Sequence, residues 1–505
     1  MSAPSGTPVG APPPSGGLAR GAALMVLFKL LDRVIGVVSV MCLARLLTPG
    51  DFGLVAMASS VVALIELMSA FGFDTALIQR SDAQRRHFDT AWTFQVVFGL
   101  ATGLVLLLAA MPAAAFYRDP RIAEVLPVLA LASVFTGLAN IGPVMFRKQL
   151  DFGREFRFLL TKRLATFFVT LGAAWWLRSY WALVAGIVTG NFIGLVISYL
   201  MHPYRPRLSL EASRELMHFS KWLFISNLVT FFQSNADKFI LGRTVGSREL
   251  GLYNLAQEVG ALPSTALIAP INRAVFPAYA AAARDLKALE GRFLDVIGQI
   301  AALAFPVSVG LAVLAEPVVL LLLGEQWRGS VPLLQAFVLI GLVGALQSNL
   351  YSIILALGEP KWTTLIGAGV VALTLPLMVV LSSHYGAAGA VAAYLGVALL
   401  GLVPLHWVFF RLTRFSPRPY ATRLVRPAIA AAAAGLGVNA LGRGFDQHPV
   451  LDIALGSALG LAIYIGLGLA LWWIAGRPAD SAEAELLRRA AQLRKRALGA
   501  RTGPA

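Results

Sequence analysis

Cysteine is almost missing: Cys42 is the single one in 505 residues. A lone thiol closes no disulfide, so no covalent framework holds this chain, and Cys42 inside an apolar run reads as a small hydrophobe. Charge is scarce as well. Asp, Glu, Lys and Arg make up 13% of the chain, about half the share of an ordinary soluble domain. That excludes a string of solvated domains. The six histidines (His87, His202, His218, His384, His406 and His448) are scattered, with no pair at metal-ligand spacing. No metal site and no cofactor are expected. No nucleophile, base and oxyanion constellation stands out either. GLGVNA at 435–440 only imitates a dinucleotide fingerprint, because it lies inside an apolar run with no strand before it. The sequence therefore reads as a non-enzyme.

What fills the chain instead is hydrocarbon. Hydrophobic residues make up 57%, gathered into runs of about 20, the length of a membrane-crossing helix. The fold class is an all-α polytopic membrane protein with about 14 transmembrane helices. Six spans fall near 19–46, 51–72, 88–111, 122–146, 155–178 and 181–201. Six more fall near 215–243, 249–273, 286–314, 330–357, 361–383 and 386–411, and a last pair near 421–442 and 449–475. Residues 1–18 are Pro-, Gly- and Ser-rich and read as a disordered tail. Residues 202–214 read as a linker between an N-lobe (19–201) and a C-lobe (215–411). Residues 479–505 form a basic tail, with apolar residues at helical spacing between its arginines.

Lys and Arg set the orientation. With the N-terminus inside, the inner loops collect Arg80, Arg85, Arg86, Arg147, Lys148, Arg154, Arg157, Arg205, Arg207 and Arg214, and later Arg284, Lys287, Arg292, Arg411, Arg414 and Arg418. Both termini are then cytoplasmic. The net charge of +16 describes a basic inner face suited to anionic lipid, and no nucleic-acid partner is needed to explain it.

The stretch LARLLTPGDFGLVAMASSVVAL at 43–64 returns as LGRTVGSRELGLYNLAQEVGAL at 241–262, ungapped, at an offset of 198. Leu, Arg, Gly, Leu, Ala, Val, Ala and Leu recur in place, and Asp51 becomes Glu249. Six spans separate the copies, so both have the same orientation. That is a parallel repeat: two six-helix lobes plus two extra C-terminal helices, with a substrate path expected between the lobes.

The run ARLLTPGDFGLVAMASSVVALIELMSAFGFDTALIQR (44–80) resembles the start of bacterial oligosaccharide flippases and polysaccharide exporters. NADKFILGRTVGSRELGLYNLA (235–256) resembles the matching motif of their second half. These proteins belong to the multidrug/oligosaccharidyl-lipid/polysaccharide exporter superfamily, and the likeness runs over about residues 20–475. The resemblance implies a V-shaped pair of lobes in the bacterial inner membrane. It implies translocation of undecaprenyl-pyrophosphate-linked oligosaccharide to the outer leaflet by alternating access, for O-antigen, capsule or exopolysaccharide. Polysaccharide polymerase and glycosyltransferases would be its partners, and a proton or sodium gradient its coupling source. The residues alone leave other readings open: a cation-coupled antiporter of small drugs or metabolites, a peptidoglycan lipid-precursor flippase, or a scaffold for glycan assembly. An antiporter of cationic drugs predicts an acidic cavity, whereas the early spans here are richer in Lys and Arg.

Ionisable residues within a bilayer usually face a cavity or one another. Lys29 and Arg33 share a face of the first span, roughly 15–20 Å along it. With Lys162 and Arg163 they form the expected headgroup site, since a pyrophosphate needs cationic partners to cross the core. The competing reading is local: Asp32 neutralises Lys29, and Lys162 and Arg163 snorkel to water. Asn227, Thr230, Ser234 and Lys238, with Asp237, make a polar stripe in the seventh span; Asn254 and Gln257 follow in the eighth. These are sugar-contact candidates, or helix braces. Asp32, Glu66 and Glu258 are candidate coupling carboxylates, because a buried carboxyl holds its proton more readily. Gln347, Ser348 and Asn349 suit either sugars or helix–helix contacts.

Overall fold

The structure is a computed structural model and describes residues 15–67, 72–80, 82–215, 231–232, 235–442 and 448–477, and Ala484. Asn227, Thr230, Ser234 and almost all of the 479–505 tail lie outside the described residues. The described chain is helical, with no strand among those residues. Its contacts fall into two compact units, 1–239 and 240–505.

In the first unit, α1 (Ser15–Leu46), α2 (Pro49–Glu66), α4 (Arg85–Tyr117), α5 (Arg121–Leu138), α7 (Phe152–Leu177) and α8 (Trp181–Met201) correspond to the first six expected spans. Two short helices went unread, α3 (Phe73–Gln79) and α6 (Val144–Lys148). A single turn at a membrane boundary leaves no mark in an average over about 20 residues. A further helix, α9, runs over 235–244. α4 and α5 touch backbone to backbone: a Cβ on Gly99 would come 2.6 Å from the Gly137 Cα. Small residues are what permit such approach in lipid, where hydrophobicity gives no driving force between helices.

The second unit runs through α10 (Gly246–Gly260), a π-helical segment (Pro263–Ile268), α11 (Ala269–Ala282), α12 (Leu286–Val313), α13 (Ala315–Leu322) and α14 (Val331–Ala356). It continues with α15 (Pro360–Leu400), α16 (Leu402–Thr413), α17 (Pro417–Gly442) and α18 (Pro449–Ile474). Its buried centre is aromatic: Phe293 stacks on Tyr420 at 5.8 Å and tilts against Phe409 at 4.9 Å. The two C-terminal helices pack on α12, tied by Arg423–Asp295 at 3.8 Å and by the Tyr464 hydroxyl donating to the Ala302 carbonyl at 2.9 Å.

Among the described residues, nine helices are long and apolar enough to cross a membrane. The 54-residue stretch Pro360–Thr413 is one of them and holds the expected eleventh and twelfth spans, divided where Gly386 breaks the helix at φ 63°. Ser15–Leu46, Phe152–Leu177 and Pro417–Gly442 are of spanning length but more polar, carrying Lys29, Asp32 and Arg33, Lys162 and Arg163, and Arg423 and Arg426.

The repeat explains itself inside each unit. The Asp51 carboxylate accepts from the Thr48 amide (2.8 Å) and hydroxyl (2.6 Å), closing a capping box at the start of α2. Its other oxygen accepts from the Tyr180 amide at 3.0 Å, beside the start of α8. Glu249 does the corresponding work in the second unit. Its carboxylate accepts from the Ala387 amide at 2.8 Å, where α15 restarts after Gly386. Each copy thus offers a carboxylate to the amide end of its own lobe's sixth span, where the helix dipole favours negative charge. Gly386 is required there. A Cβ would lie 2.5 Å from the Glu249 carboxylate, and the positive φ strains any side chain.

Candidate functional site

α1 lies along α7, and the contact between them settles one ambiguity. Asp32 pairs with Arg163 at 2.8 Å, and a second guanidinium nitrogen reaches the Asp32 carbonyl at 3.5 Å. Asp32 is therefore committed across the helix interface and not to Lys29 on its own helix. Lys29 is exposed and has no partner among the described residues, and Arg33, one turn further on, is exposed beside it. The sequence grouped Lys162 with Arg163, but the structure parts them. Neighbours on a helix diverge by about 100°, so Arg163 turns to α1 while Lys162 turns to α8, against Gly194.

Lys162 faces a cavity inside the first unit, with polar groups set among apolar walls. Two adjoining chambers, about 730 Å³ and about 190 Å³, share Asp74, Gln95, Thr136 and Asn191 in their walls. The larger adds Glu66, Thr102 and Ser133; the smaller adds Asn140, Arg147, Glu155, Lys162 and Ser198. Glu66 ends α2 and accepts from the Ser133 hydroxyl at 3.0 Å. Gln95 donates to the Thr136 carbonyl at 2.7 Å, which fixes the wall between α4 and α5. Glu155 is 5% exposed and pairs with Arg147 at 2.5 Å. The Asn140 backbone amide donates to the Ser198 hydroxyl (2.9 Å), and the Asn140 side chain donates to the Tyr204 carbonyl (2.7 Å). The cavity's polar groups offer hydrogen bonds to water or hydroxyl-rich groups between apolar stretches of wall. Asp74, Gln95 and Asn191 were not singled out in the sequence, though each is a polar residue within or beside an apolar run, the signal that did single out Glu66.

The 202–215 segment closes this end of the unit. Burial and the nearby Arg154 and Arg205 push the His202 imidazole below its usual range, so it stays neutral, and its Nδ1 accepts from the Tyr204 amide at 3.1 Å. Burial and the neighbouring Asp89 push the Tyr204 hydroxyl up, which keeps it a donor to Asp89 at 2.6 Å.

The remaining candidates lie apart from these. Asp237 accepts from the Lys238 amide at 2.8 Å, and Lys238 donates to Asn235 at 3.1 Å. On α10, Asn254 and Gln257 are half-buried and Glu258 is exposed; the Asn254 side-chain nitrogen is buried with no hydrogen-bond partner among the described residues. Ser348 and Asn349 take part in helix–helix bonding. Asn272 donates to Ser348 at 2.7 Å, and Asn349, fully buried, donates to Asn272 at 3.3 Å and to Tyr279 at 3.2 Å. Gln347 donates to the Ala398 carbonyl at 3.2 Å.

Comparison with known proteins agrees with this architecture. The family described as polysaccharide biosynthesis protein matches residues 42–332. The lipopolysaccharide biosynthesis protein WzxC of Escherichia coli (strain K12) is 25% identical over 385 residues, 75% of this chain and 77% of that one. The succinoglycan biosynthesis transport protein ExoT of Rhizobium meliloti (strain 1021) is 25% identical over 443 residues, 85% of this chain and 87% of its own. Among solved structures, the lipid II flippase MurJ in an inward closed conformation superposes with a TM-score of 0.72 at 12% identity, covering 90% of this chain and all of that one. An inward-facing multidrug resistance MATE family transporter of the MOP superfamily gives 0.57 at 14% identity, over 78% of this chain and 99% of its own. These two likenesses show the fold.

Proposed function

The chain belongs to the polysaccharide biosynthesis protein family, and on that premise we propose that it carries polyprenyl-pyrophosphate-linked oligosaccharide from the cytoplasmic to the outer leaflet by alternating access. It is a multi-pass membrane protein and not an enzyme. The observation that carries the reading is the Arg163–Asp32 pair, which leaves Lys29 exposed and without a partner among the described residues, on a helix of spanning length. A cation held deep in a membrane segment is costly, and a pyrophosphate is the ligand that repays it. In this account Lys29 and Arg33 receive the headgroup, and Arg163 holds Asp32 away from it. Lys162 serves the internal cavity. Asn227, Ser234, Asp237, Lys238, Asn254 and Gln257 contact sugar. Both termini are cytoplasmic, as the loop arginines favour, in a bacterial inner membrane that also holds the polymerase and glycosyltransferases of the pathway.

Glu66 and Asp74, in the walls of one cavity, are the coupling carboxylates in this account. Glu258 is the further carboxylate in the second unit. The test is purified protein in vesicles, loaded with fluorescent polyprenyl-pyrophosphate oligosaccharide, under an imposed pH or sodium gradient. Lipid reaching the far leaflet faster than in protein-free vesicles is expected, with the gradient's acceleration lost in Glu66→Gln. No transfer under any gradient would overturn the reading. Gradient-driven transfer unchanged in Glu66→Gln would remove Glu66 from the coupling.

A further inference from the structure

The segment 202–215 connects α8 to the seventh span, and its course along α4 is unusual. α8 has 21 residues, about 31 Å, so its end at Met201 falls at the hydrocarbon boundary. α4 has 33 residues, about 50 Å, more than the hydrocarbon is thick, and its basic start at Arg85 and Arg86 places the overshoot at this end. The connecting chain runs along the overshoot in a dip. Asp89 holds it first, accepting from the Tyr204 hydroxyl (2.6 Å) and the Arg207 amide (2.9 Å). Thr93, one turn nearer the membrane, accepts from the Ser209 amide at 2.9 Å. The chain then climbs back: Thr90 accepts from the Ala212 amide at 3.2 Å, and His87 meets Glu215 at 3.2 Å. Glu215 also pairs with Arg80, and lies 3.7 Å from Arg86.

The lowest point of the dip is Ser209, roughly 9 Å below the level of His87 along the helix. Leu208 and Leu210 flank it and are 72% and 60% exposed. Exposed leucines on a polar loop in water have nothing to gain. Above them, on the arms of the dip, Arg207 and Arg214 are exposed with no side-chain partner among the described residues. Arg205 differs, because its guanidinium is turned back onto the His202 and Tyr204 carbonyls. Apolar tips below and free guanidinium groups above match the layering of acyl chain and phosphate in one leaflet.

We propose that this connecting segment is a lipid anchor. Leu208 and Leu210 insert among the acyl chains of the adjacent leaflet, and Arg207 and Arg214 bind the phosphates of anionic phospholipids. The anchor fastens the segment after α8, within the first unit, to the membrane surface and needs no transported substrate. Its failure is therefore distinct from failure of the transport reading.

The test uses the full chain, with Cys42→Ala leaving no other thiol, and an environment-sensitive fluorophore on Leu208→Cys or Leu210→Cys. The protein is placed in vesicles of phosphatidylcholine with increasing phosphatidylglycerol and no lipid-linked sugar. The expected result is a blue-shifted label, quenched by nitroxides on the acyl chains and shielded from aqueous iodide. Phosphatidylglycerol should increase the inserted fraction, and Arg207→Gln with Arg214→Gln should weaken that dependence about fivefold per charge. A label on Ser213→Cys should stay open to iodide. Iodide quenching at 208 and 210 without acyl-chain quenching would overturn the anchor. Insertion indifferent to lipid charge would overturn its preference for anionic phospholipid.

Discussion

Protein carrying Lys29→Gln together with Arg33→Gln should reach the membrane at normal levels and export nothing measurable. Two charge-assisted contacts to a phosphate are removed at once. Each is worth about 1.5–3 kcal/mol, so headgroup binding should fall roughly a hundredfold or more. The fold should survive, because both side chains are exposed. Arg33→Lys should restore only part of the activity, since an ammonium lacks the guanidinium fork. Arg163→Ala should impair export without touching headgroup, by freeing Asp32 to neutralise Lys29 three residues away. Export and membrane abundance measured side by side in these three variants check the assignment. Normal export by well-inserted Lys29→Gln/Arg33→Gln protein would contradict it.

Asp51→Ala should produce the largest loss of folded protein among single substitutions at exposed or half-buried positions. One carboxylate holds the α2 cap and the Tyr180 amide together. Its removal leaves amide donors at two helix starts without a charged acceptor, a cost of about 2–4 kcal/mol. Glu249→Ala should cost about 1–3 kcal/mol, because Glu249 serves a single helix start. Asp51→Asn should be milder, since an amide oxygen still accepts. Thermal unfolding of the purified protein, together with the yield of monodisperse material, reads the order. An Asp51→Ala variant that melts with the unaltered protein would show that the repeated carboxylate is not a structural tie.

These two cases also show where the sequence was readable and where it was not. Lys29, Asp32 and Arg33 announce themselves because charge inside an apolar run is expensive. The partner of Asp32 does not, because Arg163 lies 131 residues away and Lys29 offers a nearer, wrong solution. The repeat announces Asp51 and Glu249, but their partners are the amides of Tyr180 and Ala387, and a backbone amide has no residue type to find. Spans are legible as lengths of hydrocarbon, and Gly386 fell where the eleventh and twelfth were divided. α3 and α6 are too short to register. The cavity was half visible. Glu66 and Lys162 were singled out, while Asp74, Gln95 and Asn191 join them only once the five helices that carry these residues are packed together.

The most direct measurement of the central claim is a lipid extract from cells lacking this protein, with the glycan pathway active, analysed by mass for polyprenyl-pyrophosphate species. The account predicts accumulated lipid carrying a complete oligosaccharide unit, whose mass also names the glycan. An unchanged pool of lipid-linked species would contradict it and direct attention to antiport of a soluble substrate.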